Sequence, residues 1–350
     1  MPTNRPSQYN RSSIVRNTPA TVARQDEALR LRRTGLAYIE IARQLGYTPN
    51  GVPRPQSAAE AVRAAERREG LALANGAVAV VARASAVNLP TPLNRTFGVE
   101  IEFFGITQSV ANNALRRAGL VSAIEVYNHD ARPWWKVTTD ASVTTTGTGI
   151  GRGLEVVSPI LQGSTGFADL DKVIKALLNA GAKIDKSCGI HVHIGADGLN
   201  GGDIIRIVEL YTLNGSHIDG VLSRSRHDTM WARKYNNASL QHIRRTLSGV
   251  SGERDLRQSL RGMERYHAVN LASYLRHGTV EFRQHQGSLN GEKVASWVKF
   301  VMSLVNTAKN MSDADVRDFG SLDTLLTTVG LDDTTKTYMN RRAASLAGSR

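Results

Sequence analysis

Five short runs in which apolar and polar residues alternate constrain this chain more than any other feature of its 350 residues. They lie at 98–104, 134–139, 153–158, 189–194 and 278–285. Successive side chains of a strand point to opposite faces, so residues i and i+2 share one. In "GVEIEFF" this puts Glu100 and Glu102 together, with Val99, Ile101 and Phe103 turned away. "GIHVHIG" likewise sets His191 and His193 against Ile190, Val192 and Ile194. "GTVEFRQH" projects Glu281, Arg283 and His285 as a set, backed by Val280 and Phe282. Glu155 stands opposite Leu154 and Val156, and the run at 134–139 leads into Asp140.

Amphipathic helices lie between and after these runs. "LDKVIKALL" stripes Leu170, Val173, Ile174, Leu177 and Leu178, and "EKVASWVKFVMSLV" stripes Val294, Trp297, Val298, Val301, Leu304 and Val305. Strands mixed with helices, without strict alternation, predict an α+β domain over 96–310: one sheet with helices on one face. Residues 311–350 read as two closing helices and a polar tail.

The first 95 residues differ in kind. They hold 14 arginines, no lysine and 6 acids, so most of the formal net charge of +13 sits there. Residues 1–22 read as a disordered basic arm, 23–70 as a small all-helical module, and the Ala-rich 71–95 as a linker. Within the module, "GLAYIEIARQLG" precedes a helical run with Ser57 and Glu60 in capping-box spacing, and the whole is similar to a helix-turn-helix. A helical spacer or docking hairpin fits the same pattern. A weak nucleic-acid contact through residues 1–70 is one expectation, although charge alone does not separate it from an acidic partner or mere solubility. The start lacks an apolar targeting segment, and "GAVAVVA" is too short to span a bilayer. Together with a single cysteine, this leads to an expectation of a cytoplasmic protein with no membrane partner.

A solvent-facing antiparallel sheet also alternates, and it accounts for any one run taken singly. Residue choice argues against it for the set. The runs present Glu, His and Arg where a wet face usually mixes Lys, Thr, Ser and Gln. Four acids clustered without a cation would repel one another by about 1 kcal/mol or more per close pair. Divalent cations remove that cost, and carboxylates suit Mg²⁺ or Mn²⁺, with imidazole compatible with Mn²⁺. Zinc is the natural competitor, because H-x-H is common at zinc sites, yet it would leave Glu100, Glu102 and Glu155 redundant. Arg283 is suited to a phosphoryl oxygen or a substrate carboxylate.

"FGVEIEF", "LEVVSPIL", "CGIHVHIG", "RYHAVNL" and "GTVEFRQHQGSLN", in this order over about 96–310, resemble the amidoligase family, relatives of glutamate-cysteine ligase and glutamine synthetase. The resemblance implies a mainly antiparallel sheet forming a bowl-shaped active site of the glutamine synthetase type. It implies ATP and Mg²⁺ or Mn²⁺ as cofactors, and small-molecule or peptide carboxylate and amine substrates joined through an acyl phosphate. Glu100 and Glu102 would be split between two metal positions. Glu155, aided by Asp140, would complete one, and His191 with Glu281 the other. His193 would sit by the nucleotide phosphates and Arg283 would stabilise the transferring phosphoryl group. His285 and Tyr266 are candidate proton acceptors for the amine. "TTTGTGIGRG" at 144–153, with Gly149 and Gly151, reads as a hairpin loop able to touch nucleotide, not as a Walker loop. Cys188 reads as packing, since a lone buried cysteine is usually a small apolar residue. Arg224, Arg226 and Arg265 are candidates for a substrate carboxylate. Alternatives are a nucleic-acid-binding or structural protein acting through its N-terminal module, and a guanidino-kinase-like phosphotransferase.

Overall fold

The computed structural model describes residues 18–33, 36–65, 93–144, 153–227 and 229–348. They fall into two compact units, one within Met1–Gly76 and the other within Ala77–Arg350. Most of the basic arm, the linker and the loop with Gly149 and Gly151 lie outside the described residues.

The first unit contains α1 (Pro19–Arg33), α2 (Tyr38–Gln44) and a third helix, α3, through residues 55–65. Ala28, Leu29 and Leu31 of α1 meet Ile41 and Ala42 of α2 and Ala58, Ala61, Val62 and Ala65 of α3 in a core of its own. Small residues at this spacing let three short helices approach closely. Arg32 and Arg24 lie over the rings of Tyr38 and Tyr47, which covers the edges of that core.

The second unit is built on a seven-stranded sheet. Its strands are β1 (Phe97–Phe103), β2 (Ser122–Ile124), β3 (Trp135–Thr139), β4 (Leu154–Val157), β5 (Gly189–Gly195), β6 (Val269–Asn270) and β7 (Thr279–Gln286). The spatial order is β2-β3-β4-β1-β5-β7-β6, antiparallel throughout except for the parallel β2–β3 pair. The five expected runs all form strands. Strands β2 and β6 span only three and two residues, too few to show a period.

Val99, Ile101, Val156, Ile190, Val192 and Ile194 share one continuous core with α5 (Gly163–Asn179), α6 (Gly201–Leu213) and α11 (Gly291–Asn310). Asn200 and Asn290 cap α6 and α11 by accepting the backbone N–H of Asp203 and Lys293. The α4 helix (Gln108–Arg117) packs beside α5 and the β2–β3 end of the sheet. Further helices close the unit: α7 (Gly215–Gly220), α8 (Asn237–Leu247), α9 (Glu253–Ser259), α10 (Ser273–His277), α12 (Leu322–Thr328) and α13 (Asp333–Gly348). At Gly278 the backbone turns left-handed, with φ 65°, which ends α10 and delivers the chain directly into β7. Among the described residues no helix is long and apolar enough to cross a membrane.

Candidate functional site

The register of the sheet decides which polar side chains meet. Glu100 lies opposite His191 and Glu102 opposite Glu155, because β1 sits between β5 and β4. His193 faces Glu281 across β5–β7, and Glu281 in turn faces Asn270 of β6. Directly opposed residues of neighbouring strands present their side chains on the same face. The alternation seen in separate stretches of sequence thus closes into one cluster.

His191 occupies its centre. Its Nδ1 lies 2.8 Å from Glu100 Oε2 and 3.8 Å from Glu281 Oε1, and its Nε2 lies 3.5 Å from Glu102 Oε1. His193 sets Nδ1 3.0 Å from the Thr279 hydroxyl, while its buried Nε2 stands 3.4 Å from Glu100 Oε1 and has no hydrogen-bond partner among the described residues. Arg283 pairs through Nη1 with Glu281 Oε1, and its Nε donates to the Trp231 carbonyl. The Asn270 amide donates to Glu281 Oε2 at 2.6 Å and is itself oriented by accepting the Ala272 N–H. The Gly189 N–H donates to Glu102 Oε2 at 2.6 Å. A Cβ at Gly189 would stand 3.1 Å from Arg226 Nη2 and 3.4 Å from His191 Nε2, so the missing side chain is what admits the guanidinium beside Glu102.

These neighbours drive the carboxyl groups apart. Burial pulls Glu100 upward, but the His191 hydrogen bond and the charges of His191 and His193 outweigh it and hold its carboxyl well below the usual range. Glu281 is also lowered: burial opposes, and the positive charges of Arg283 and His193 prevail. Glu155 goes the other way. Burial first, then the charges of Glu100, Asp140 and Glu102, push it well above the usual range, against only Lys136. Glu102 is raised by burial despite His191, the Gly189 N–H and Arg226. Burial lowers His193, but Glu281 and Glu100 raise it more.

One sequence expectation is overturned. His285 does not project with Glu281 and Arg283. The β5–β7 pairing slips by one residue between Val192↔Phe282 and Ile190↔His285, and this bulge turns His285 to the apolar face. There it is buried, its ring 5.2 Å from that of Trp297 in α11 and Nδ1 2.7 Å from the Gln286 carbonyl. Burial and nearby Lys293 hold its imidazole well below the ordinary value. It is a packing residue, not a proton acceptor facing the cluster.

The other candidates separate clearly. Asp140 influences Glu155 and Glu102 electrostatically, but its Oδ1 accepts from the Ser142 N–H and hydroxyl, and it belongs to neither triad described below. Cys188 is fully buried, and burial pushes its thiol up to about 11, so it is inert. Arg224 and Arg265 are exposed, and Tyr266 meets Trp231 edge-on at the surface. Three side chains that the sequence did not place in the cluster prove to belong to it or to its edge. Arg226, one of three undistinguished arginines there, is buried and donates to the carbonyls of Gln284 and Arg283. Asn270 was visible only as the N of "RYHAVNL", on a strand too short to detect. Lys136 shares the polar face of β3 with Thr138, which pairs with Glu155, and its buried ammonium donates to the Asn128 carbonyl at 2.6 Å. Lysine is therefore present on the face after all, at its edge.

Two groups of side chains bring ligand atoms within 4.8 Å of one another: Glu100, His191 and Glu281, and Glu102, Glu155 and His191. Buried carboxylates with one shared imidazole suit hard divalent cations. The donor set fits Mg²⁺ or Mn²⁺. A mixed α/β fold with a mostly antiparallel sheet and a carboxylate–histidine cluster able to hold cations defines the class of this protein. The chain belongs to the family described as "Putative amidoligase enzyme", whose model matches residues 93–305, all seven strands included. That description places it with enzymes of the ligase type. No curated protein matches the chain significantly.

Proposed function

We propose that the protein is an ATP-dependent carboxylate–amine ligase, forming an amide or isopeptide bond through an acyl phosphate. The observation that carries this is the pair of carboxylate triads sharing His191, flanked on one side by two buried guanidiniums. Glu100 and Glu281 would hold one cation and Glu102 and Glu155 the other, with His191 a ligand to whichever takes its lone pair. Bound Mg²⁺ or Mn²⁺ supplies charge neutralisation for the oxygens of a transferring phosphoryl group.

The chain's own groups do the rest. Arg283, held in place by Glu281 and the Trp231 carbonyl, offers its remaining N–H groups to the equatorial oxygens that gain charge during transfer. Arg226 is fixed by two backbone carbonyls beside Glu102 and extends that positive edge. His193, with Nε2 3.4 Å from Glu100 Oε1, stands beside the same cluster. The carboxylate oxygen attacks the γ-phosphorus and ADP leaves. The amine then attacks the acyl carbon, and the C–O bond to phosphate breaks as the amide forms. Exposed Tyr266 remains a candidate to take the amine proton.

The test is ADP release by purified protein with Mg²⁺ and a screen of carboxylate and amine pairs. Turnover should require Mg²⁺ or Mn²⁺, rise with the correct pair, and fall at least a hundredfold in Glu100→Gln and Glu281→Gln. No Mg²⁺-dependent ATP binding by the wild type would end the proposal. A stable phosphorylated acceptor with no amide would identify a phosphotransferase instead.

A further inference from the structure

Apart from the Tyr266 hydroxyl, the surface beside the acidic cluster is apolar in a way the chemistry just described does not need. Ile124, Val126 and Tyr127 are exposed on the segment leaving β2, and Met230, Trp231 and Tyr266 on the segments leading toward β6. Val126 is 85% and Met230 71% exposed. Of the eleven large hydrophobic residues exposed among the described residues of the second unit, these six fall in two neighbouring strips. Electrostatics links the strips: the Arg265 guanidinium lies 5.2 Å from the Tyr266 ring centroid and its charge acts on Tyr127, and Tyr266 stands edge-on to Trp231 at 5.4 Å. The Trp231 strip adjoins the site, because the Trp231 carbonyl accepts from Arg283 Nε at 3.3 Å.

Two positive groups interrupt the apolar strip. Arg265 and Arg276 are both exposed, both act on His129 next to Tyr127, and neither has an acidic partner among the described residues. A free amino acid would be swallowed by the acidic cluster and would touch little of this surface. An acyl tail would call for a continuous apolar trough, not one broken by guanidiniums. An extended chain carrying a bulky apolar side chain next to an acidic group matches both features.

We propose that this strip is the docking site for the acid substrate, and that the substrate is a peptide: an aromatic or large aliphatic side chain lies on Trp231 and Tyr266, and a second, non-reacting carboxylate pairs with Arg265 and Arg276. The proposal rests on the ligase function for the fate of the reacting carboxylate, not for binding. The two can therefore fail separately.

Titration calorimetry without ATP is the first measurement, using the full chain in Mg²⁺ buffer with acetyl-Phe-Asp-Glu, acetyl-Gly-Asp-Glu and free glutamate as probes. The aromatic tripeptide should bind at least tenfold more tightly than the other two. Arg265→Ala and Trp231→Ala, both surface changes, should each remove about tenfold or more of that affinity. Where ADP release is measurable, these variants should raise KM for the peptide and leave KM for ATP unchanged. Equal binding of all three probes, or unchanged affinity in both variants, overturns the proposal. A rise confined to KM for ATP overturns it too, and assigns the aromatics to the nucleotide base. Peptide binding lost in the variants, with no ATP turnover in the wild type, upholds the docking site while ending the ligase proposal.

Discussion

Replacing Glu155 with glutamine should stabilise the metal-free protein and weaken its response to Mg²⁺. Glu155 is buried, directly opposite Glu102, and within 4.8 Å of it when their ligand atoms are considered. Two full negative charges at that distance repel by about 3.5 kcal/mol at an effective dielectric near 20. Burial and the charges of Glu100, Asp140 and Glu102 accordingly push the Glu155 carboxyl well above its usual range, and that shift costs stability as pH rises. Glutamine preserves the shape and removes the charge. At pH 8 in EDTA, Glu155→Gln should therefore be more stable by about 3 kcal/mol, or about 5 °C in Tm for a unit of this size.

The pH dependence follows from the directions of the shifts. Glu155, Glu102 and His193 are raised in the folded state, so their contributions are complete below the unfolded values, about 4.3 for the carboxyls and 6.5 for imidazole, and are lost as pH climbs through the folded ones. Glu100 and Glu281 are lowered, and their contributions are lost only as pH falls below about 4.3. As pH rises above the unfolded carboxyl value of about 4.3, the metal-free wild type should lose stability, and Glu155→Gln should lose less, by up to about 1.4 kcal/mol per pH unit. Excess Mg²⁺ should raise the wild-type Tm and flatten the slope, with a much smaller gain in the variant. Thermal melts at pH 6.5, 7.2 and 8, with EDTA or MgCl₂, provide the assay. Identical melts for the two proteins in EDTA, or equal gains from Mg²⁺, would refute a cation-deficient cluster at Glu155.

Arg283→Lys keeps the charge but loses the planar fork, and should cut Mg²⁺-dependent ADP release by about 10² to 10³ while the fold persists by circular dichroism. His285→Asn should lower stability by about 1–3 kcal/mol in urea titration yet leave turnover per folded molecule within threefold, because the imidazole faces Trp297 and not the cluster. Removing residues 1–76 should leave ADP release unchanged and abolish any salt-sensitive binding to duplex DNA. If the shortened chain binds DNA as tightly as the whole, the N-terminal helices have no such role.

Much of the site was legible because a strand's period is fixed. "GVEIEFF" and "GIHVHIG" placed Glu100, Glu102, His191 and His193 on the face where the structure has them, and "GLEVV" did the same for Glu155. The rule failed at His285, where one extra residue in β7 inverted the faces, and nothing local in "EFRQHQ" marks that insertion. Arg226 was illegible for another reason. It comes from a 3-10 turn between helices, and only its long-range bonds to Gln284 and Arg283 set it apart from Arg224. Asn270 and Lys136 depend on pairing partners far along the chain. The positions of strands could be read locally, whereas the company they keep could not.

His191 belongs to both triads, with Nδ1 turned toward Glu100 and Glu281 and Nε2 toward Glu102. A neutral imidazole has a single lone pair to give. The two cation positions are therefore rivals for one donor: an ion that takes it leaves the other position with carboxylates alone. The second ion would then have to complete its shell with oxygens brought by a ligand. Its affinity would be thermodynamically tied to that ligand's, each tightening the other by the same factor.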